Sequence, residues 1–63
     1  MSVKRKEFLK YLESHGCFLK RHGGKHDVYW RDHGRYRSTV PRHPSLERSL
    51  CNEICKQLGI DKY

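Results

Sequence analysis

The sequence lacks long hydrophobic runs and is too short for two domains. Only 35% of its 63 residues are hydrophobic, and no apolar run approaches the ~20 residues of a membrane-spanning helix. Its basic start leads to no hydrophobic segment of signal-peptide length, so we expect a cytoplasmic protein with no membrane partner. A chain of this size buries about three-fifths of its unfolded surface. That suffices for one domain, residues 1–63, and excludes a two-domain enzyme with a deep cofactor cleft.

The cysteines are too few for a disulfide framework or a zinc site. Their number is three, which excludes complete pairing within the chain. Cys51 and Cys55 are four positions apart, but they share one face of a predicted helix and do not lie in a turn, so they form no paired zinc-ligand knuckle. Free cysteine is among the most frequently buried residue types. We therefore expect Cys17, Cys51 and Cys55 to be small apolar core residues, and we expect no bound metal.

Negative charge is also scarce, and this imbalance indicates the class of partner. Fourteen Lys and Arg residues against seven Asp and Glu residues give a formal charge of +7. The surplus lies in residues 1–44, because residues 45–63 carry three residues of each sign. An asymmetric basic surface attracts phosphate backbones through counterion release. A nucleic-acid partner is favoured, although charge alone separates neither RNA from DNA nor a binder from an enzyme.

Two amphipathic segments predict helices at the two ends of the chain. Ser2 is a suitable N-cap for a helix through about residue 14, and Gly16 is a suitable end. For the second helix, Ser45 is a suitable N-cap and Gly59 a suitable residue after the last turn. Each segment carries an apolar stripe that needs a sheet to cover it. The stripes are Phe8, Leu9 and Leu12 in the first segment, and Leu46, Leu50, Ile54 and Leu58 in the second.

Three short segments rich in β-forming residues lie between the helices, at residues 17–21, 26–31 and 35–40. Glycine-containing turn signals separate them, and Pro41 ends the last because it has no N–H for the ladder. The order α-β-β-β-α predicts an α+β fold. In it, two helices cover one face of a three-stranded antiparallel sheet and leave the other face open to water.

Alternation along the middle strand leaves two arrangements open. Either Val28 and Trp30 enter the core, or Tyr29 does and Trp30 lies on the open face. An exposed Trp30 could stack on a base or anchor a side chain of a protein partner. We favour the core position for Trp30.

Short motifs follow one another in a fixed order along nearly the whole chain. They are Gly16, Arg21, Gly24-Lys25-His26, Val40-Pro41-Arg42-His43 and Ile54-Cys55-Lys56-Gln57-Leu58-Gly59-Ile60. This ordered set resembles the HicA family of bacterial and archaeal toxins. The resemblance implies a fold similar to a double-stranded-RNA-binding domain, in agreement with the element order predicted above. It also implies an mRNA interferase, an endoribonuclease toxin that a HicB-type antitoxin holds inactive.

The resemblance further implies which residues act. The functional histidine of the family follows a Gly-Ser or Gly-Thr step, and that position falls on His26, with Lys25 in place of the hydroxyl residue. Histidine suits general acid/base catalysis because its ordinary pKa of about 6.5 lies near neutral pH. RNA carries its own nucleophile, the 2′-OH, so we expect neither a metal nor a cofactor. The expected RNA-binding residues are Arg21, Gly24, Lys25, Arg42 and His43, of which His43 is also a candidate for the complementary acid.

Two other functions remain open at this point. The chain could be a non-catalytic RNA-binding module of the same fold, which would hold RNA in a salt-sensitive way and leave it intact. It could also act only by binding an acidic protein, an interpretation that the neutral second helix supports. His15, His22 and His33 lie at a helix end or in turns, and we assign them no function.

Overall fold

The computed structural model describes residues 2–63, which form five strands and two helices. In chain order they are β1 (Ser2–Lys4), α1 (Arg5–Ser14), β2 (Cys17–His22), β3 (His26–Arg31), β4 (Tyr36–Pro41), β5 (Ser45–Glu47) and α2 (Arg48–Gln57). Strands β2, β3 and β4 form an antiparallel sheet in that order, and β1 pairs with β5 apart from it. The predicted α+β fold with a three-stranded antiparallel sheet is confirmed.

Both helices begin two residues later than predicted, because one strand of the β1–β5 pair precedes each of them. Val3 lies opposite Leu46 in the antiparallel β1–β5 ladder, and both side chains are buried. Ser2 and Ser45 therefore belong to strands and do not cap helices, so the two predicted N-caps are wrong. Lys4 and Glu47 occupy the cap positions, and neither side chain makes a capping hydrogen bond. Burial of two apolar side chains outweighs the preference of serine for a cap.

The core forms where the two helices meet one face of the sheet. It contains Phe8 and Leu12 from α1, Cys17, Tyr29 and Val40 from the sheet, and Cys51, Ile54, Cys55 and Leu58 from α2 and its end. All three cysteines are free and buried, as predicted. Burial raises the pKa of each thiol above its ordinary value. No helix within residues 2–63 is long and apolar enough to span a membrane.

The middle strand turns Tyr29 inward, so the favoured core position of Trp30 is wrong. Tyr29 is only 4% exposed, whereas Trp30 is half-buried on the opposite face of β3. The helices take the face that carries Tyr29 and Asp27. Trp30 gains its partial burial from cationic side chains of the neighbouring strands: Lys20 Nζ lies 4.6 Å and Arg37 Cζ 4.7 Å from its ring centroid.

Candidate nucleic-acid site

His26 is the first residue of β3, and its side chain is exposed. It lies opposite Pro41 in the ladder with β4. Because side chains alternate along a strand, His26 projects from the face opposite to that of its buried neighbour Asp27. The imidazole is therefore displayed at the end of the sheet, on the face that the helices leave uncovered.

A tight hairpin turn connects β2 to His26. The N–H of Gly23 donates to the carbonyl oxygen of His26 at 2.8 Å. A Cβ atom at Gly23 would lie 2.6 Å from that same oxygen, which is too close for any side chain. Gly24 and Lys25 are exposed at the tip, and a Cβ at Gly24 would meet nothing within 4 Å. Close packing therefore requires glycine at position 23 but not at position 24.

Asp27, beside His26, is a nearly buried carboxylate that three basic side chains surround. Its Oδ2 accepts from Arg5 at 2.7 Å, and its Oδ1 accepts from His22 Nδ1 at 2.8 Å and from Arg42 Nε at 2.9 Å. An ionised carboxylate can only accept, so the hydrogen bond assigns a proton to Nδ1 of His22. These donors, the His22 ring first and then Arg42 and Arg5, lower the pKa of Asp27 to about 2 against the opposing effect of burial.

The same cluster ties the hairpin to β4 and to α1. Arg42 also donates to the carbonyl oxygens of Gly23 at 2.6 Å and Gly24 at 3.3 Å. Arg5 donates from Nε to the carbonyl oxygen of Pro41, the residue opposite His26, at 2.7 Å. The turn before His26 and the strand beside it are therefore both fixed through Asp27, which gives this exposed histidine a rigid support.

The order of these features along the chain agrees with one protein family. The model of the HicA toxin of bacterial toxin–antitoxin systems matches residues 5–60. The chain belongs to the HicA toxin family. No curated protein and no solved structure matches it. The match contains the whole hairpin, the Asp27 cluster and both helices.

In this HicA chain the predicted site residues are divided between the two faces of the sheet. Arg21 lies opposite Val28 in the β2–β3 ladder and so shares the open face with His26. Arg42 lies on the helix-covered side, where its guanidinium holds Asp27 and the hairpin. Lys25 is at the tip between the two faces, and His43 is exposed just beyond the end of β4.

The Asp27 cluster was missed by the sequence reasoning, which assigned His22 no function. A usable signal was present, because aspartate is disfavoured in strands and here stands two positions before Tyr29, on the same face. A charge at a core-facing strand position needs partners. The sequence did not identify Arg5 and Arg42 as those partners, since they lie 22 and 15 residues away in the chain. Within residues 2–63, no group of three or more His, Cys, Asp or Glu side chains is arranged to hold a metal ion.

Proposed function

We propose that this HicA chain is an endoribonuclease that cleaves single-stranded regions of mRNA, with His26 as the general acid/base. The observation that carries the proposal is the exposed imidazole of His26 on a hairpin fixed by the Asp27 cluster. Histidine can accept and return a proton near neutral pH. A mobile histidine would have to be positioned at each turnover, whereas this support holds its backbone in place before RNA arrives.

The reaction needs only groups that the RNA and this chain supply. The 2′-OH of one nucleotide attacks the adjacent phosphorus, loses its proton to a base, and displaces the 5′-oxygen, which gains a proton. The products are a 2′,3′-cyclic phosphate and a 5′-hydroxyl. His26 exchanges the proton, and cations such as Arg21 and Lys25 stabilise the charge that builds up on the phosphoryl oxygens. His43 is the candidate for the second proton-transfer group.

The test is the cleavage of mRNA by purified His26→Ala and by a matched control, His33→Asn. His33 is an exposed histidine in the β3–β4 turn with a φ of 58°, a conformation that asparagine tolerates. General acid/base catalysis contributes roughly a hundredfold or more. We therefore expect His26→Ala to lose at least that factor, both with and without EDTA, while His33→Asn cleaves at the parental rate.

Two outcomes would contradict the proposal. Cleavage by His26→Ala at the parental rate would remove His26 from the chemistry. If the parent chain retained RNA in a salt-sensitive way but left it intact, the non-catalytic RNA-binding module would be the correct function.

We also propose that a HicB-type antitoxin covers His26 in the cytoplasm. Membership of a toxin–antitoxin family implies an antitoxin partner. An acidic antitoxin would complement the +7 charge of this chain and associate rapidly. Because a truncation at an exposed position leaves the rest of the surface unchanged, His26→Ala is expected to retain antitoxin binding, which also shows that the variant is folded.

A further inference from the structure

We propose that the open face of the sheet is a binding surface for single-stranded RNA that leads the strand to His26. This inference rests on the proposed function, because it concerns the substrate of the same site. The open face consists of three cross-strand rows that carry both cations and aromatic side chains. The rows are Phe18, Trp30 and Arg37, then Arg21, Val28 and Thr39, then His26 and Pro41.

The register aligns these rows along the middle strand. Trp30, Val28 and His26 alternate with the inward-facing residues of β3 and so share one face. Trp30 is four positions after His26, and a strand rises about 3.3 Å per residue, so their backbones lie about 13 Å apart. A chain of nucleotides laid along β3 would pass from the aromatic row to the imidazole without leaving the sheet.

The charge of this face is of one sign. Arg21 and Arg37 belong to its rows, and Lys20 joins them because a register shift between Leu19 and Arg21 lets its ammonium group reach Trp30. Among residues 2–63, no Asp or Glu belongs to these rows. The helix-covered side differs, because there Arg5 and Arg42 are paired with Asp27. Within the part of the chain that the structure describes, Lys20, Arg21 and Arg37 form no ion pair with a carboxylate, so the cations of the open face can bind phosphate.

The row that contains Phe18 and Trp30 offers aromatic rings on which unpaired bases can stack. Phe18 is 43% exposed and lies directly opposite Trp30. The Trp30 ring is fixed in place: a Cβ at Gly34 would lie 2.6 Å from it, and Arg37, over the ring, donates to the Gly34 carbonyl oxygen at 2.8 Å. Exposed aromatic rings and guanidinium planes stack on unpaired bases.

These features favour a single strand over a duplex. The bases of an RNA duplex are stacked on one another inside the helix, and proteins bind it through its shape, its 2′-hydroxyls and its phosphates. Phe18 and the Trp30–Arg37 stack would find no base face in a duplex. The likeness to a double-stranded-RNA-binding domain therefore describes the fold, while the exposed chemistry fits unpaired RNA.

The experiment uses Trp30 as its own reporter, because it is the only tryptophan of the chain. His26→Ala prevents cleavage, and its tryptophan fluorescence is titrated with an unstructured RNA oligonucleotide of about ten nucleotides over a range of salt concentrations. We expect saturable quenching. The affinity of single-strand binding falls with salt at a slope of about 0.7 per phosphate contact in logarithmic units. Lys20→Gln and Arg37→Gln are each expected to reduce that slope by about this amount.

Matched controls separate local contacts from overall charge. Lys10→Gln and Lys56→Gln remove exposed cations from α1 and α2, so they are expected to leave the slope unchanged. Phe18→Ala is expected to weaken binding roughly fivefold to 150-fold, the range measured for loss of one base–aromatic stack.

The inference is overturned if RNA binds without a change in Trp30 fluorescence, or if the controls lower the slope as much as Lys20→Gln and Arg37→Gln. Tighter binding of a 16-base-pair duplex than of the oligonucleotide would overturn it as well. Failure of the proposed function is distinguishable, because an inactive parent chain that still binds the oligonucleotide on this face would refute cleavage alone. Conversely, full cleavage by Lys20→Gln, Arg37→Gln and Phe18→Ala at limiting RNA would refute this inference alone.

Discussion

Replacing Asp27 by asparagine removes a buried charge while nearly keeping the shape of the side chain. The carboxylate is 8% exposed and accepts hydrogen bonds from Arg5, His22 and Arg42. An amide has one oxygen and one NH2 group. In Asp27→Asn at least one of these donors would therefore face another donor, and the Arg5 guanidinium, whose side chain is 19% exposed, would lose its counter-charge.

The magnitude follows from the pKa of the carboxyl group. Folding lowers the pKa of Asp27 from 3.8 to about 2, and each factor of ten in proton affinity corresponds to about 1.36 kcal/mol. The ionised form therefore stabilises the folded chain by about 2 kcal/mol. Because the folded pKa is the lower one, this contribution is present above about pH 4 and is lost as the pH falls toward 2.

The assay is urea unfolding of the parent chain and of Asp27→Asn, followed by Trp30 fluorescence at several pH values. For a small domain with a urea dependence of about 1 kcal/mol per molar, a loss of 2 kcal/mol lowers the midpoint by about 2 M. We expect that difference at pH 7 and a much smaller one near pH 2. Asp61→Asn makes the same chemical change at an exposed position and is expected to shift stability by less than about 0.5 kcal/mol. Equal stability of Asp27→Asn and the parent at pH 7, or a difference that does not depend on pH, would refute the reasoning.

Two further predictions concern the hairpin and the thiols. Gly23→Ala is expected to destabilise the chain by about 1–3 kcal/mol in urea unfolding and to slow RNA cleavage, because its Cβ would meet the His26 carbonyl oxygen at 2.6 Å. Gly24→Ala, where a Cβ meets nothing within 4 Å, is the control, and equal losses in both variants would contradict the steric argument. The three thiols are buried and their pKa values are raised, so we expect them to resist alkylation at pH 7.5 until urea unfolds the chain. Modification of the folded chain at the unfolded rate would contradict this prediction.

The elements with a strong local pattern were predicted from the sequence, and those that depend on distant partners were not. The second helix and the turn residues around β3 need only neighbouring residues, and both were confirmed by the fold. The predicted apolar stripe of that helix was only partly right: Ile54 and Leu58 are buried in the core, but Leu46 lies in β5 and Leu50 is 38% exposed. The β1–β5 pair joins residues more than forty positions apart, so the serines before each helix were interpreted as caps. Pairing between distant segments overrides such local preferences.

The candidate site shows the same division. Arg42 was predicted to contact RNA because the family motif covers it. Its contacts with Asp27, Gly23 and Gly24 give it a role in supporting the hairpin, and contact with RNA stays a prediction. Asp27 was absent from the prediction because its cationic partners lie in separate segments of the chain, and only folding brings these segments together.

The sequence by itself determined the family, the basic charge, and the number and type of the main elements, and it predicted His26 as the functional histidine through the family motif. These depend on residue identity and on short-range spacing, and both can be read from the linear sequence without knowledge of the fold. The tertiary structure decided which face of β3 is covered, and with it that Trp30 is displayed beside Lys20 and Arg37 while Tyr29 enters the core. The physical reason is that β3 carries a large aromatic residue on each face, so either face could pack against the helices. Only the fit of one of those sides against both helices, together with the partners available for Asp27, selects between the two.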